Sequence, residues 1–450
     1  MSRRTLLAAG GAGAAGAAAA ALAGCGPAGP AGTAARTGPD LAAAAVVPKR
    51  PTTVRWWAAR VARKDGGDLR PLLIREFNKK YPHITVRMIG APAQTDTARA
   101  ALATQIASGS PSPDVFMGDS VWPAQFAYNE MALPLRSLVG EDYWGRYPGP
   151  HVDALSYEDE VYAFPLYQDQ PYLFYRKDLL RKHGLPVPRH WEELADSAAE
   201  VQRAGDADYG FVWQGSVYEG LTCNVTELVA DAGGSILTED GAGVTFDGPA
   251  GERALTYLRD LVARGITPGS VTTFIEQDSL DAFTSGRSIF LRNWSYAWGV
   301  ANNPDSSAVA GKIGCVVRPG FEGEEGGWGC LGGWCNFVNP HSRNLGAAVA
   351  FARFLSDEEG QMVLAREAAV LPPLDEALGS RFVRGSDNPA FSEAHRVRLV
   401  ARPVHSPHYP AVSKAVYTRA NQVISGGSSV RTALASARRD LQAALKGEAL

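Results

Sequence analysis

The segment "TVRWWAARVARKDGGDLRPLLIREFNKKYPHITVRMIG", Thr53–Gly90, holds a strand, a helix and a second strand in immediate succession. Val54, Trp56 and Trp57 belong to a short β-rich run. Leu72, Leu73, Glu76 and Phe77 recur at helical spacing from Leu69 to Tyr81, where Pro82 stops the helix, and Ile84, Val86 and Met88 then alternate as a strand. The pattern continues outward. A helix is predicted over Thr97 to Ala107 and closes at Ser108-Gly109-Ser110-Pro111. Asp114-Val115-Phe116-Met117 reads as a buried strand delivering Gly118-Asp119-Ser120 to a loop. Strand, helix, strand, helix, strand at this spacing predicts parallel βαβ units.

Further α/β pattern follows. Helices are predicted from Lys177 to His183, from Trp191 to Ala204 and from Gly251 to Ala263, with a strand over Tyr209 to Trp213. Ser356 and Glu359 stand at capping-box spacing and predict another helix start. No short-period repeat is present, which excludes a solenoid. At 450 residues, 45% hydrophobic and 20% charged, the chain is a globular protein with a real core, and two α/β lobes are the economical architecture. A net charge of −3 gives no reason to expect nucleic acid or an anionic membrane surface as partner.

Ahead of this body, Arg3-Arg4 and the alanine-rich run to Gly24 describe an export signal of the twin-arginine type over 1–24. Leu22-Ala23-Gly24-Cys25 resembles the lipobox of bacterial lipoproteins. Cys25 is then the lipidated residue, and 25–52, rich in Ala, Gly, Pro and Thr, is a flexible tether. The protein is expected at the outer face of the cell membrane, held there only by the lipid. Cys223, Cys315, Cys330 and Cys335 permit disulfides in that compartment, Cys330 and Cys335 being closest in sequence.

Enzyme motifs are absent: no G-x-S-x-G elbow, no phosphate-binding loop, no H-E-x-x-H. Gly327 to Gly332 matches G-x-G-x-x-G, yet Trp334 to Val338 after it reads as strand rather than helix. His405 and His408 lack companions at ligand spacing, so no metal or cofactor is expected. Aromatic residues do recur beside single polar ones at strand ends: Asp119 with Trp122, Tyr167 with Asp169, Trp213 with Gln214, Tyr218 with Glu219, Trp294 and Tyr296 with Arg292, and Gly333-Trp334. Ligands of open α/β sheets lie beyond the carboxyl ends of strands, and aromatic faces with carboxylates and guanidinium groups suit sugar rings.

These stretches resemble the extracellular solute-binding proteins of family 1, the sugar-capturing lipoproteins of ABC importers. The match rests on Asp178-Leu179-Leu180 with Trp191-Glu192-Glu193-Leu194, and on Phe283 to Arg287 leading to Asn293-Trp294. Leu331 to Trp334, Ala352 to Ser356, and Arg402-Pro403 with Pro407-His408-Tyr409 complete it. His190 departs from the threonine usual before Trp191. The resemblance implies a periplasmic-binding-protein-like α/β fold with two lobes, 53–166 plus 297–334 and 167–296 plus 335–450, joined by hinge strands around a ligand cleft. It places crossings near Leu166 to Leu173, Asn293 to Ala297 and Trp334 to Phe337.

Tyr218 to Leu221 and Arg402 to Tyr409 look most like the branch that binds trehalose and maltose. Carried over, Asp119, Tyr167 and Asp169 bind hydroxyls, Trp294 and Tyr296 stack on a ring, Gly333 and Trp334 line the floor, and Arg402 reaches in. Gln94, Thr95 and Glu219 are further candidates. The implied function is capture of an α-linked disaccharide by a monomer that delivers it to an ABC permease. Another oligosaccharide, a polyol, or action as a secreted carbohydrate-active enzyme are the alternatives.

Overall fold

The computed structural model describes residues 38–448 except 93 and 403–405. The export signal of 1–24, Cys25 and most of the tether lie outside the described residues. In chain order the strands used below are β1 (Thr52–Ala58), β2 (Ile84–Gly90), β3 (Val115–Asp119), β4 (Phe164–Asp169), β5 (Pro171–Arg176), β6 (Tyr209–Val212), β7 (Ser288–Trp294), β8 (Ile313–Val316), β9 (Trp328–Cys330), β10 (Gly332–Val338) and β11 (Arg398–Val400). The helices are α1 (Leu41–Ala44), α2 (Arg70–Lys80), α3 (Thr95–Ala107), α4 (Trp191–Arg203), α5 (Glu219–Asp231), α6 (Pro249–Ala263), α7 (Glu276–Thr284), α8 (Ala297–Ala301), α9 (Leu345–Ser356), α10 (Glu358–Ala368), α11 (Tyr409–Ile424) and α12 (Val430–Leu445).

The opening segment folds as read: β1 runs parallel to both β2 and β3. The first sheet has the order β2-β1-β3-β10-β4, with β10 antiparallel to its two neighbours. β3 is central and buried along its whole length, so its sequence is a continuous apolar run up to Asp119, whereas edge strand β2 exposes Arg87 and Met88. Trp56 packs edge-on against Phe351 of α9 at 5.2 Å and donates its indole N–H to Asn336, 3.0 Å away. α9 buries every residue but Arg353, consistent with its near-uniform apolar sequence. Phe116 stacks on Phe337 at 5.0 Å, and a Cβ on Gly118 would lie 2.5 Å from Trp122 and 2.6 Å from Phe337. Gly118→Ala is therefore expected to cost about 1–3 kcal/mol through overpacking, measurable by urea unfolding.

The second sheet has the order β8-β5-β7-β6, with β7 and β6 parallel and the other pairs antiparallel. α4, α5, α6, α11 and α12 pack into its main core. Both lobes thus follow the α/β binding-protein plan, but their sequence segments differ from those expected. Residues 313–316 of 297–334 form β8, which hydrogen-bonds to β5 in the second sheet. Residues 345–356 of 335–450 form α9, which packs into the first core. A short strand carries no mark of which distant strand will pair with it.

The crossings shift accordingly. The first falls between Asp169 and Pro171, within the expected range. After β7 the chain stays with the second sheet, where Ala297 and Ala301 pack beside Tyr172 and Phe174, although Tyr296 touches the cores of both lobes. The next crossing falls at Leu331, between β9 and β10, ahead of the expected Trp334.

Two local expectations are corrected. Residues 39–51 are not free tether: Asp40 caps α1, Ala44 is buried, and a Cβ on Gly346 would fall 1.8 Å from the Val46 carbonyl oxygen. A helix does begin after Ser356, but without the capping box. The Ser356 hydroxyl instead hydrogen-bonds with Tyr143, 2.6 Å away, and donates to the Arg353 carbonyl. The G-x-G-x-x-G stretch lies on β9 and β10, as its strand-like continuation suggested.

Candidate functional site

The sheet registers assemble the site. On the first sheet, Trp334 of β10 lies opposite Asp119 on one side and Tyr167 on the other, so the three stand in a row across adjacent strands. Gly333 opposes Gln168 and Gly332 opposes Asp169. Gly333 has φ of +152° and a Cβ there would sit 2.8 Å from the Tyr167 carbonyl oxygen, so only glycine fits this floor position. Across the hinge, Trp294 at the end of β7 pairs with Pro171 of β5.

Between the lobes these residues line a cleft with a cavity of about 570 Å³. Asp119, Tyr167, Asp169, Trp294, Tyr296, Gly333, Trp334, Arg402, Thr95 and Glu219 all border it. Gln94 does not. It is the N-cap residue of α3, and its side chain accepts from the Thr97 hydroxyl instead. Among the residues not predicted, Arg60, Glu276 and Asp278 also line the cleft. Arg60 follows the carboxyl end of β1, the same kind of position that pointed to Asp119, so the strand-end rule contained its signal. Glu276, opening α7, accepts from Tyr218 at 2.7 Å and from the Trp294 indole N–H at 3.4 Å. No sequence pattern marked it.

Trp294 is held from several sides. The Arg292 guanidinium carbon lies 4.2 Å from its ring centroid, and Gly332 leaves room for the ring edge, since a Cβ there would come within 2.8 Å. Arg292 itself is buried on Glu227 and donates to Gln214 at 2.8 Å. Glu227 also pairs with Arg318 at 3.2 Å, and Arg318 reaches Asp231 at 3.1 Å. A buried ionic chain therefore backs the aromatic wall.

Asp169 accepts three bonds on one oxygen, from Ser295 N–H at 3.0 Å, Ser295 hydroxyl at 2.6 Å and Gln170 N–H at 3.1 Å. Burial nevertheless pushes its carboxyl up to about 7, against the pull of those donors. The folded protein then holds a proton there between about pH 4 and 7 that the unfolded chain has released. The associated stability is full below the ordinary carboxylate range and is lost as pH rises through about 7. A melting temperature lower at pH 8 than at pH 5, with Asp169→Asn flattening that slope, is the expected result in thermal scans.

Asp119, Arg402 and Glu219 form an ion-paired group. Arg402 bonds to Asp119 at 2.9 Å and to Glu219 at 2.8 Å. Glu219 also accepts from Tyr409 and from Ser413, so both of its oxygens are engaged by protein. Burial raises its carboxyl to about 7, countered by Arg402.

Cys223, Cys315, Cys330 and Cys335 are buried free thiols. Cys330 lies beside Glu227 in the second lobe, while Cys335 approaches the Gly118 carbonyl oxygen at 3.4 Å in the first, so the pair closest in sequence is not bridged. Among the described residues, no cluster of His, Cys, Asp or Glu suits a metal ion, and no helix is long and apolar enough to cross a membrane.

Fold and cleft together define a two-lobed α/β binding protein. Residues 62–362 match the family model "Bacterial extracellular solute-binding protein", and the chain belongs to that family. It is 31% identical over 295 residues to a probable ABC transporter-binding protein of Deinococcus radiodurans, covering 64% of this chain and 69% of that one. A mannitol-binding protein of Pseudomonas aeruginosa is 25% identical over 357 residues, 77% of this chain and 78% of the relative. Among solved structures, maltose-bound T. maritima MalE3 superposes with a TM-score of 0.81 at 30% identity, covering 87% of this chain and 99% of the other. The chain is therefore a solute-binding protein rather than an enzyme.

Proposed function

We propose that the cleft takes a sugar, with an α-linked disaccharide, trehalose or maltose, as first choice. The observation that carries this is the pairing of aromatic faces with hydrogen-bonding groups around one cavity of about 570 Å³: Trp294, Tyr296, Tyr167 and Trp334 beside Asp169, Arg60 and Glu276. Indole and phenol faces cover the apolar C–H faces of pyranose rings, while the polar groups select hydroxyl positions. The maltose complex of the T. maritima relative supports a disaccharide. The named mannitol-binding relative makes a polyol the comparison to run beside it. Asp119 and Arg402 would meet sugar hydroxyls from the rim, their ion pair fixing both side chains.

In this reading the mature protein is a monomer tethered through lipidated Cys25 to the outer face of the membrane, where closure presents both lobes to the permease. Titration of tryptophan fluorescence tests the ligand. Trehalose or maltose is expected to give a saturable change at lower concentration than mannitol or ribitol. A response to the polyols alone would replace the disaccharide reading. Release of a Cys25→Ala variant from the membrane fraction is expected, and its retention would point to another anchor.

A further inference from the structure

α5 is a helix of 13 residues, all buried, and its N-cap residue Tyr218 offers no side-chain cap. Its first backbone donor, Glu219 N–H, is satisfied from outside the lobe: the acceptor is an Asp96 carboxylate oxygen, 2.9 Å away and 123 positions distant in sequence. Asp96 sits in the first turn of α3, in the first lobe, while α5 packs in the second. Beside this contact, Arg402, which follows β11, spans from Glu219 to Asp119 at the end of β3. Two protein–protein contacts thus tie the lobes at one edge of the cleft, and neither uses a ligand atom. Parting the lobes leaves the Glu219 N–H at a helix N-terminus without its carboxylate, which is the end where negative charge is most stabilising.

We propose that Asp96 is a positioning residue for closure: it latches the first lobe onto the N-terminus of α5 and thereby sets affinity without touching the solute. The proposal rests on the cleft being the binding site, not on which sugar fills it. Asp96 lies 3.9 Å from Arg99, which has a second partner in Gln125, so loss of Asp96 leaves Arg99 held. Because the contact joins the lobes on either side of the cleft, it holds them together around a bound solute and slows its escape. Asparagine at this position keeps an acceptor oxygen, and alanine keeps none.

The test uses nitroxides at Arg87→Cys on β2 and Glu239→Cys in the second lobe, with the inter-label distance measured by pulsed electron resonance on full-length chain without sugar. Asp96→Ala is expected to shift the distribution to longer distances, and Asp96→Asn to restore the wild-type one. With maltose as probe, Asp96→Ala is expected to raise koff about fivefold. Identical distributions for Asp96→Ala and wild type overturn the latch, as does an Asp96→Asn variant that behaves like alanine. If neither maltose nor trehalose binds any of the three proteins, the disaccharide reading fails on its own. The ligand-free distances still decide the latch.

Discussion

Trp294→Ala is expected to weaken sugar affinity by about a hundredfold while leaving the melting temperature of the ligand-free protein within a few degrees of wild type. The indole supplies a large rigid face to the cleft, and truncating such an anchor commonly costs about 2–4 kcal/mol of binding. The fold does not depend on that ring. Arg292 beneath it keeps Glu227 and Gln214 as partners, and Tyr296 still joins the two cores. Calorimetric titration of the variant checks this. Unchanged affinity would contradict the stacking role, and a large loss of melting temperature would show that the ring serves the fold.

The second large effect lies one layer deeper. Glu227 is wholly buried and pairs with Arg292 and Arg318 together. Removing it strands two buried guanidinium groups in a site with Asp231 as the other carboxylate, which reaches only Arg318. Breaking a buried pair from one side costs about 3–5 kcal/mol. Glu227→Ala is therefore expected to lower stability by about that amount in urea unfolding, and to weaken sugar binding because Arg292 no longer holds Trp294. Glu227→Gln retains the shape and one acceptor, so an intermediate loss is expected. Wild-type stability in the alanine variant would contradict the support assigned to this chain of charges.

Much of the plan is readable in the sequence because the signals are local. Trp56, Phe77, Ile84 and Phe116 announce their elements by spacing alone, and the strand-end rule finds Asp119 and Trp334, which prove to be register partners. Other features depend on contacts that no local pattern records. β8 joins the second sheet through β5, more than 130 positions away. Ser356 gives up its cap position for Tyr143, 213 positions distant. Glu219, a sensible candidate for a sugar hydroxyl, has its oxygens occupied by Arg402, Tyr409 and Ser413. Arg60, two residues past the end of β1, was legible by the same rule as Asp119.

Isothermal calorimetry of the protein against trehalose, maltose, maltotriose and mannitol, with the sugars recovered afterwards and analysed for cleavage, tests the central claim most directly. The account predicts one-to-one binding of trehalose or maltose, weaker heat with mannitol, and every sugar recovered intact. No heat from either disaccharide, or binding confined to mannitol, would contradict it.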